Sequence, residues 1–193
     1  MANQWDLLAA DWEDQPENTD LVDKAFAVLT QTVKIEGKHV LDLGCGSGRL
    51  SQSMSPLVKS IVALDSSEAM IEELDTKELS NVEPVVDDLT RGLVAQHPAF
   101  RKQFDLVVAC AVCTYLENLS QSLEIVYSLL DKGGVFVHWD WLIEDEHDSI
   151  GLGVIQMQDE LIQAGFSDVK VTQPFKVLTK TGLRSIVMGI ATK

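Results

Sequence analysis

Short runs of β-branched and aliphatic residues alternate with longer segments of helical period along most of this chain. The runs lie at 39–43, 61–64, 82–86, 105–109 and 135–139, and two more follow near 169–172 and 185–191. Parallel strands need long crossover connections, which are usually helices, so this alternation indicates a parallel sheet with helices on both faces. It therefore predicts an α/β fold with an open, doubly wound sheet of seven strands.

The N-terminal part of the chain has a different pattern, because helical segments come before the first strand. A helix is expected from 20 to about 33, capped by Asn18 or Thr19, since its apolar residues recur at helical spacing. The length of the chain favours one compact domain. Within it we expect residues 1–34 to form an N-terminal helical cap on a main unit of residues 35–193.

The charge balance restricts the partners that this chain can bind. Fifteen lysines and arginines stand against thirty aspartates and glutamates, which gives a net charge of -15. A surface this negative repels phosphate backbones and the headgroups of anionic lipids. We therefore expect no nucleic-acid partner and no binding to a membrane surface.

Several features bear on the compartment in which the chain works. No run approaches the roughly 18 uninterrupted apolar residues that a membrane span needs. The first residues also lack the basic and apolar regions of a signal peptide. The three cysteines, Cys45, Cys110 and Cys113, form an odd and low count, which favours free thiols in a reducing compartment. A cytoplasmic protein is therefore expected.

A glycine-rich turn follows the first predicted strand and is the expected binding site for a small ligand. The turn, at 44–48, lies at the carboxyl end of the strand, where open parallel sheets bind their ligands. Its glycines carry no Cβ, so a ligand can approach the backbone closely. Asp65 follows 21 residues after Gly44, at the end of the second strand, where an acid can accept both hydroxyls of a ribose.

Two details separate this turn from the G-x-G-x-x-G fingerprint of dinucleotide-binding proteins. Arg49 stands where the third glycine would fall, and Asp42 lies two residues before the first glycine, in the mouth of the strand. A carboxylate at that position suits a ligand that carries positive charge and no pyrophosphate. S-adenosylmethionine, which has an ammonium and a sulfonium group, is such a ligand.

The same segment resembles motif I of the class I S-adenosylmethionine-dependent methyltransferases. The resemblance is carried, in the order and spacing of that family, by VLDLGCGSG at 40–48, IVALDSSEAMI at 61–71, VVDDL at 85–89, FDLVVACAVCTYL at 104–116, LLDKGGVFVHWDW at 129–141 and LIQAGFSDVKV at 161–171. It implies the fold of this family, a mostly parallel sheet of seven strands whose last strand is antiparallel. It also implies that residues 35–193 bind S-adenosylmethionine as the cofactor and transfer its methyl group.

The resemblance further implies a cofactor site at the carboxyl ends of the first four strands. Asp42 would face the methionine ammonium, and Asp65 would hold the ribose hydroxyls. Asp87 or, by preference, Asp88 would accept from the adenine amino group, and Met70 would pack on the adenine ring. The full set implied for the cofactor is Asp42, Gly44, Cys45, Gly46, Gly48, Asp65, Ser66, Met70, Asp87, Asp88, Leu89, Cys110 and Ala111.

The expected acceptor side departs from the family's pattern. Many small-molecule methyltransferases that this chain resembles carry two histidines where Thr114 and Tyr115 stand. Aromatic side chains can hold an apolar acceptor or stabilise a cationic one, so Trp12, Tyr115 and Trp139 are expected to contact the acceptor. Trp5 and Trp12 either pack on the domain or form a lid over the cofactor.

Methyl transfer from a sulfonium is a direct displacement that needs mainly the positioning and desolvation of the acceptor, so a general base is optional. If the acceptor is a hydroxyl or an ammonium, the candidates for taking its proton are His138, Asp140 and Tyr115. Cys110 and Cys113 form a CxxC pattern, but no second pair of ligands accompanies it, so no metal site is expected.

The sequence therefore favours a methyltransferase that acts on a small-molecule substrate. A second hypothesis is a binding module of the same fold that holds S-adenosylmethionine without transferring the methyl group. A third is an NAD-dependent oxidoreductase, which Arg49 and Asp42 disfavour. The sequence leaves open which acceptor is methylated and how many chains assemble.

Overall fold

The structure is a computed structural model that describes residues 4–144 and 150–193. Its strands are β1 (His39–Leu43), β2 (Ser60–Asp65), β3 (Val82–Val86), β4 (Phe104–Cys110), β5 (Leu130–Trp141), β6 (Ser167–Thr172), β7 (Lys176–Thr179) and β8 (Gly182–Thr192). Its α-helices are α1 (Pro16–Thr32), α2 (Arg49–Met54), α3 (Glu68–Asp75), α4 (Arg91–Gln96), α5 (Leu119–Leu129) and α6 (Val154–Gln163). Short 3-10 helices lie at Ala9–Asp11, Pro98–Phe100 and Cys113–Tyr115.

The strands form a mixed sheet in the order β3-β2-β1-β4-β5-β8-β6, and β7 pairs with β8. β1 to β5 pair in parallel, and β8 runs antiparallel to β5, β6 and β7. The α/β fold, the mostly parallel sheet and the antiparallel last strand are thus confirmed. The strand order reverses at β1, which β2 and β4 flank. The carboxyl ends of β1 and β4 therefore form the switch point at which sheets of this kind bind ligands.

The sheet has one strand more than the seven that the sequence predicts. β7 and β8 form a hairpin in which Thr179 pairs with Gly182, and Lys180 and Thr181 make the turn between them. In β7 one side chain, Val177, is buried. A four-residue strand with a single buried position lacks the repeated alternation that marks a strand in a sequence.

The N-terminal helix begins earlier than the sequence predicts and belongs to the main core. α1 begins at Pro16, whose missing N–H needs no partner in the first turn of a helix, so the predicted caps Asn18 and Thr19 lie inside it. Its buried residues pack in the same cluster as β1 and α2. Residues 1–3 of the predicted cap lie outside the described residues. In the described part of the chain no helix is long and apolar enough to cross a bilayer.

The core lies on both faces of the sheet, and β5 shows how its residues divide between them. Phe136 points to the face that α5 and α6 cover, and its ring stacks on His138 at 5.8 Å between centroids. Val137 and Trp139 point to the opposite face, where α1 and α2 pack. Because side chains alternate along a strand, His138 and Asp140 share one face of β5, and Trp139 and Trp141 share the other.

Gly48 shows a packing requirement that can be tested by substitution. It has φ +83°, and a Cβ there would overlap the side chain of Leu74, a buried residue of α3. Gly133 has a similar φ of +79° but open space around it. We expect Gly133→Ala to cost about 1 kcal/mol of stability through backbone strain, and Gly48→Ala to cost about 1–3 kcal/mol more because Leu74 must move. Urea unfolding of the two variants measures the difference, and equal losses would contradict the packing interpretation.

Candidate functional site

A cavity of about 600 Å³ opens at the carboxyl ends of β1, β2, β4 and β5. It collects most of the residues that the sequence predicts for the cofactor. Those that line it are Asp42, Gly44, Cys45, Gly46, Asp65, Ser66, Met70, Asp88, Leu89, Cys110 and Ala111. Gly48 and Asp87 do not line it.

The glycine turn is held by packing on one side and by a hydrogen bond on the other. Gly44 has φ +63°, and a Cβ there would overlap the side chain of Val112. Gly46 donates its N–H to Asp65 Oδ2 at 2.8 Å. A Cβ on Gly46 would lie 3.9 Å from Met70 Sδ, at ordinary contact distance. The expectation that all the glycines line the ligand is therefore corrected for Gly48, whose missing Cβ makes room for Leu74.

Asp65 ends β2 and joins two loops through its carboxylate. Oδ2 accepts the N–H of Gly46, and Oδ1 accepts the N–H of Ser67 at 2.9 Å. Burial raises the pKa of Asp65 above its ordinary value of 3.8, although the backbone donors act in the opposite direction. Each carboxylate oxygen has a second lone pair, so this side chain can still accept hydroxyl groups from the cavity.

Asp42 is the most deeply buried acid of the cavity wall, with 1% of its surface exposed. The Ser51 hydroxyl donates to its Oδ2 at 2.7 Å. Burial raises the pKa of Asp42 from 3.8 to about 7, and the charge of Asp65 adds to this effect. Asp42 forms no ion pair with any residue that the structure describes, and a buried carboxylate in this situation favours a ligand that brings a positive charge.

Asp87 and Asp88 follow β3 but point to different surroundings. The Asp87 carboxylate accepts the N–H of Asp88 at 2.8 Å, in the turn itself. Asp88 lines the cavity, and Leu89 lies beside it. The geometry thus agrees with Asp88 as the preferred residue, and Asp87 serves the turn.

The segment before α1 covers one side of the cavity. Trp5 and Trp12 line it, and their rings meet edge to face at 6.0 Å between centroids. Glu13 anchors the segment, since its carboxylate accepts from the Ser47 hydroxyl at 2.6 Å and from Lys77 Nζ at 2.8 Å. Of the two alternatives for these tryptophans, packing on the domain or forming a lid over the cofactor, the position of both rings in the cavity wall agrees with a lid.

The candidate bases on β5 lie away from the cavity. His138 and Asp140 have no exposed surface and do not line it. His138 Nδ1 lies 2.9 Å from Asp140 Oδ2, and Asp140 Oδ1 accepts the N–H of Thr114 at 3.1 Å. Both point to the side of the sheet that faces α5 and α6, so the prediction that they take a proton from the acceptor is corrected.

Trp139 does not contact the cavity either, and its predicted contact with the acceptor is corrected. It is fully buried among side chains of the α1 face of the sheet. Trp141, two residues further along the same face, lines the cavity. The two tryptophans differ in depth along β5, because only Trp141 reaches the end of the strand.

Tyr115 lines the cavity as predicted and packs edge to face on Trp5, with 4.9 Å between centroids. Partial burial raises the pKa of its hydroxyl above the ordinary value of 10, and the charge of Asp140 adds to this. The phenol is therefore protonated at neutral pH and can donate a hydrogen bond there. It cannot serve as a base under these conditions.

Cys45 and Cys113 are buried, and Cys110 is partly buried in the cavity wall. Burial raises the pKa of Cys45, Cys110 and Cys113 well above 9.0, so a nucleophilic thiolate does not form at neutral pH. The possible metal ligands of Cys113, His138 and Asp140 lie within 4.8 Å of one another. They are hydrogen-bonded among themselves, as the Cys113 thiol and the His138 ring both meet the Asp140 carboxylate.

Part of the cavity wall comes from residues that the sequence did not mark as a site. The β7–β8 hairpin contributes Thr179, Lys180, Thr181 and Arg184. The sequence carries one signal for it, the Thr181-Gly182 dipeptide between two short apolar runs, which is typical of a turn.

Comparison with known proteins assigns the family. A methyltransferase domain matches residues 41–136, about half of the chain. DhpI, in a complex with SAM and HEP, has a TM-score of 0.76 at 19% identity, over 97% of this chain and 93% of that chain. The N-methyltransferase NodS from Bradyrhizobium japonicum, in complex with S-adenosylhomocysteine, has a TM-score of 0.70 at 16% identity, over 93% of this chain and 89% of that chain. The chain belongs to the class I methyltransferase family.

A curated relative of this methyltransferase-family chain matches it over a shorter range. The mitochondrial ubiquinone biosynthesis O-methyltransferase of Schizosaccharomyces pombe is 32% identical over 120 residues, which are 60% of this chain and 41% of the yeast protein. The chain thus spans less than half the length of that relative. The methyltransferase domain match includes the glycine turn and the strand ends that carry Asp42 and Asp65.

Proposed function

We propose that this chain binds S-adenosylmethionine in the cavity and transfers its methyl group to a small-molecule acceptor. One observation carries the proposal. Asp42 and Asp65 end neighbouring strands, flank the glycine turn, and both have a pKa raised by burial in a cavity wall. A ligand with a cationic amino-acid group and a ribose would satisfy both carboxylates at once.

The lining residues fit the three parts of this cofactor. Asp42 would hold the ammonium, Asp65 would accept the ribose hydroxyls, and Met70 and Asp88 would border the adenine. Ala111, at φ +58° just beyond β4, donates its N–H to Trp139 O at 2.7 Å. Strained backbone conformations of this kind cluster at active and ligand-binding sites, and this one would lie beside the reacting methyl group.

Catalysis would rest on positioning. The cofactor, when bound, supplies a methyl group already activated by a sulfonium. The aromatic side chains of Trp5, Trp12 and Tyr115 would exclude water and hold the acceptor, and such positioning can supply about 7–11 kcal/mol of the barrier. Tyr115, as a protonated phenol, would donate a hydrogen bond to the acceptor, and the acceptor's proton would leave to solvent.

The size of the cavity and the charge of the chain both favour a small-molecule acceptor. A cavity of about 600 Å³ has the size of a small-molecule site, and the net charge of -15 opposes nucleic acid and anionic membranes. The S. pombe relative is named as an O-methyltransferase of ubiquinone biosynthesis, which agrees with a small-molecule acceptor. We also propose that residues 1–34 cap the cofactor, and that the chain works in the cytoplasm.

Calorimetry separates this proposal from its alternatives. We expect S-adenosylhomocysteine to bind with micromolar or tighter affinity. We expect NAD to give no heat, because Arg49 replaces the third glycine of the dinucleotide fingerprint and the Asp42 carboxylate beside the turn disfavours a pyrophosphate. Transfer of a labelled methyl group to a panel of small phenols, acids and amines then tests catalysis. Tight binding without transfer across the panel would indicate the non-catalytic module, and binding of NAD alone would refute the proposal.

A further inference from the structure

The cavity wall changes character from one side of the sheet to the other. Asp65 on β2 and Asp42 on β1 supply acids, Cys110 on β4 a thiol, Trp141 on β5 an aromatic ring and Arg184 on β8 a cation. The order of these strands in the sheet is the order of these side chains along the cavity. Neighbouring strands are about 4.8 Å apart, so β1 and β8 are separated by about 14 Å. We call the side with Asp42 and Asp65 the acidic end and the side with Arg184 the basic end; Arg49, which also lines the acidic end, is paired with Asp23 and Glu13. The acidic end faces the proposed cofactor, and the basic end lies beyond it.

Lys180 supplies a second cation at the basic end. It lies in the turn of the β7–β8 hairpin, and its Nζ donates to Gln15 Oε1 at 2.8 Å. Among the described residues no carboxylate forms an ion pair with it. In a chain with a net charge of -15, a cation on a cavity wall without a paired acid attracts an anion.

Arg184 and two aromatic side chains form the surface next to Lys180. The Arg184 guanidinium lies over the Trp141 ring at 4.9 Å from the centroid and donates to Ile150 O at 2.9 Å. Its charge also acts on the Tyr115 hydroxyl, which places the three side chains in one neighbourhood. The flat faces of Trp141 and Tyr115 suit a planar group.

We propose, on the basis of the function proposed above, that the acceptor is an aromatic compound carrying an oxyanion such as a carboxylate. The oxyanion binds at the β7–β8 hairpin against Lys180, and the ring lies along Trp141 and Tyr115. The reactive atom then faces Ala111. β4 and β8 are two strand spacings apart, which is about 10 Å. An aromatic ring that carries the acid group on one side and the reactive atom on the other can span this distance.

A matched set of probes and variants tests this inference. Protein saturated with S-adenosylhomocysteine is titrated with 4-hydroxybenzoate and 3,4-dihydroxybenzoate, and with the amides of the same acids, which keep the ring and lose the charge. Binding is followed by tryptophan fluorescence, because Trp5, Trp12 and Trp141 line the cavity and their emission would change when a ligand binds. We expect the acids to bind at least about tenfold more tightly than their amides.

The Lys180→Met variant keeps the aliphatic length and removes the charge from an exposed turn. We expect this variant to bind the acids about tenfold more weakly than the parent chain does. Its affinities for the amides and for S-adenosylhomocysteine are expected to be unchanged. Glu17→Gln is the control, because it removes a negative charge from the same cavity wall. This variant is expected not to weaken the binding of the acids.

The outcomes distinguish the two proposals. Failure of S-adenosylhomocysteine to bind would overturn the proposed function itself. If S-adenosylhomocysteine binds normally, three results would each overturn the proposed acceptor class and leave the cofactor site intact. These are acids that bind no more tightly than their amides, no binding of any acid, and an affinity for the acids that is unchanged in Lys180→Met.

Discussion

Asp65→Ala is expected to lower the affinity for S-adenosylhomocysteine by about 100-fold or more. Hydrogen bonds to a charged group contribute about 1.5–3 kcal/mol each, and the variant would lose two to the ribose hydroxyls. It would also release the Gly46 N–H, which Asp65 Oδ2 holds at 2.8 Å, so the glycine turn would lose one of its hydrogen bonds to β2 and keep those from Gly44 and Cys45 to Leu64 O. Calorimetric titration of the variant and the parent chain measures the change.

Asp87→Ala is the matched control for that result. Asp87 is also an acid at the end of a strand on this edge of the sheet, but it does not line the cavity, and its carboxylate accepts only within its own turn among the described residues. Its substitution is expected to leave the affinity within about twofold. Retained micromolar affinity in Asp65→Ala, or an equal loss in Asp87→Ala, would refute the assignment of Asp65 to the ribose.

Asp42→Asn is expected to stabilise the empty protein at pH 8 while weakening the binding of the cofactor. The pKa of Asp42 is about 7 in the folded protein, against the ordinary value of 3.8 that applies to the unfolded chain. The folded state therefore holds this proton more tightly than the unfolded state, and stability is lost as the pH rises from about 4 to about 7. A difference of about three pKa units corresponds to about 4 kcal/mol, as an order of magnitude.

The pH dependence separates this effect from a general change in packing. The gain in stability of Asp42→Asn should be near zero below pH 4, grow through pH 5 and 6, and level off above pH 7. In the parent chain, affinity for S-adenosylhomocysteine should rise from pH 6 to pH 8, because the ligand's ammonium needs the ionised carboxylate. Chemical unfolding and calorimetry at these pH values measure both, and a gain that is the same at pH 4 and pH 8 would count against the raised pKa.

The elements nearest the glycine turn were predictable because their signals are local. The strands at 39–43 and 82–86 have the predicted bounds, since each is a short run containing aliphatic residues that is followed directly by turn residues. Asp42 and Asp65 follow from the same logic, because the ends of neighbouring parallel strands must meet at one edge of the sheet. Eleven of the residues predicted for the cofactor line one cavity for this reason.

The errors concern properties that depend on neighbours distant in sequence. Gly48 looks like the other glycines of its turn, and only the position of Leu74 on α3 shows that it serves packing. Trp139 and Trp141 alternate in the sequence and share a face of β5, and only the position of the cavity at the end of the strand decides that Trp141 reaches it and Trp139 does not. His138 and Asp140 lie on the other face, toward α5 and α6.

By itself the sequence determined the fold class and the two carboxylates of the proposed cofactor site, because strand period, helical period and strand ends are encoded in adjacent residues. The tertiary structure alone decided how deeply each group is buried and which charges face one another. The raised pKa of Asp42 depends on its burial and on the charge of Asp65 at the end of β2. The meeting of Lys180, Arg184 and Trp141 on one wall depends on β8 returning beside β5. Burial and charge pairing arise between elements far apart in the chain, so no local pattern encodes them.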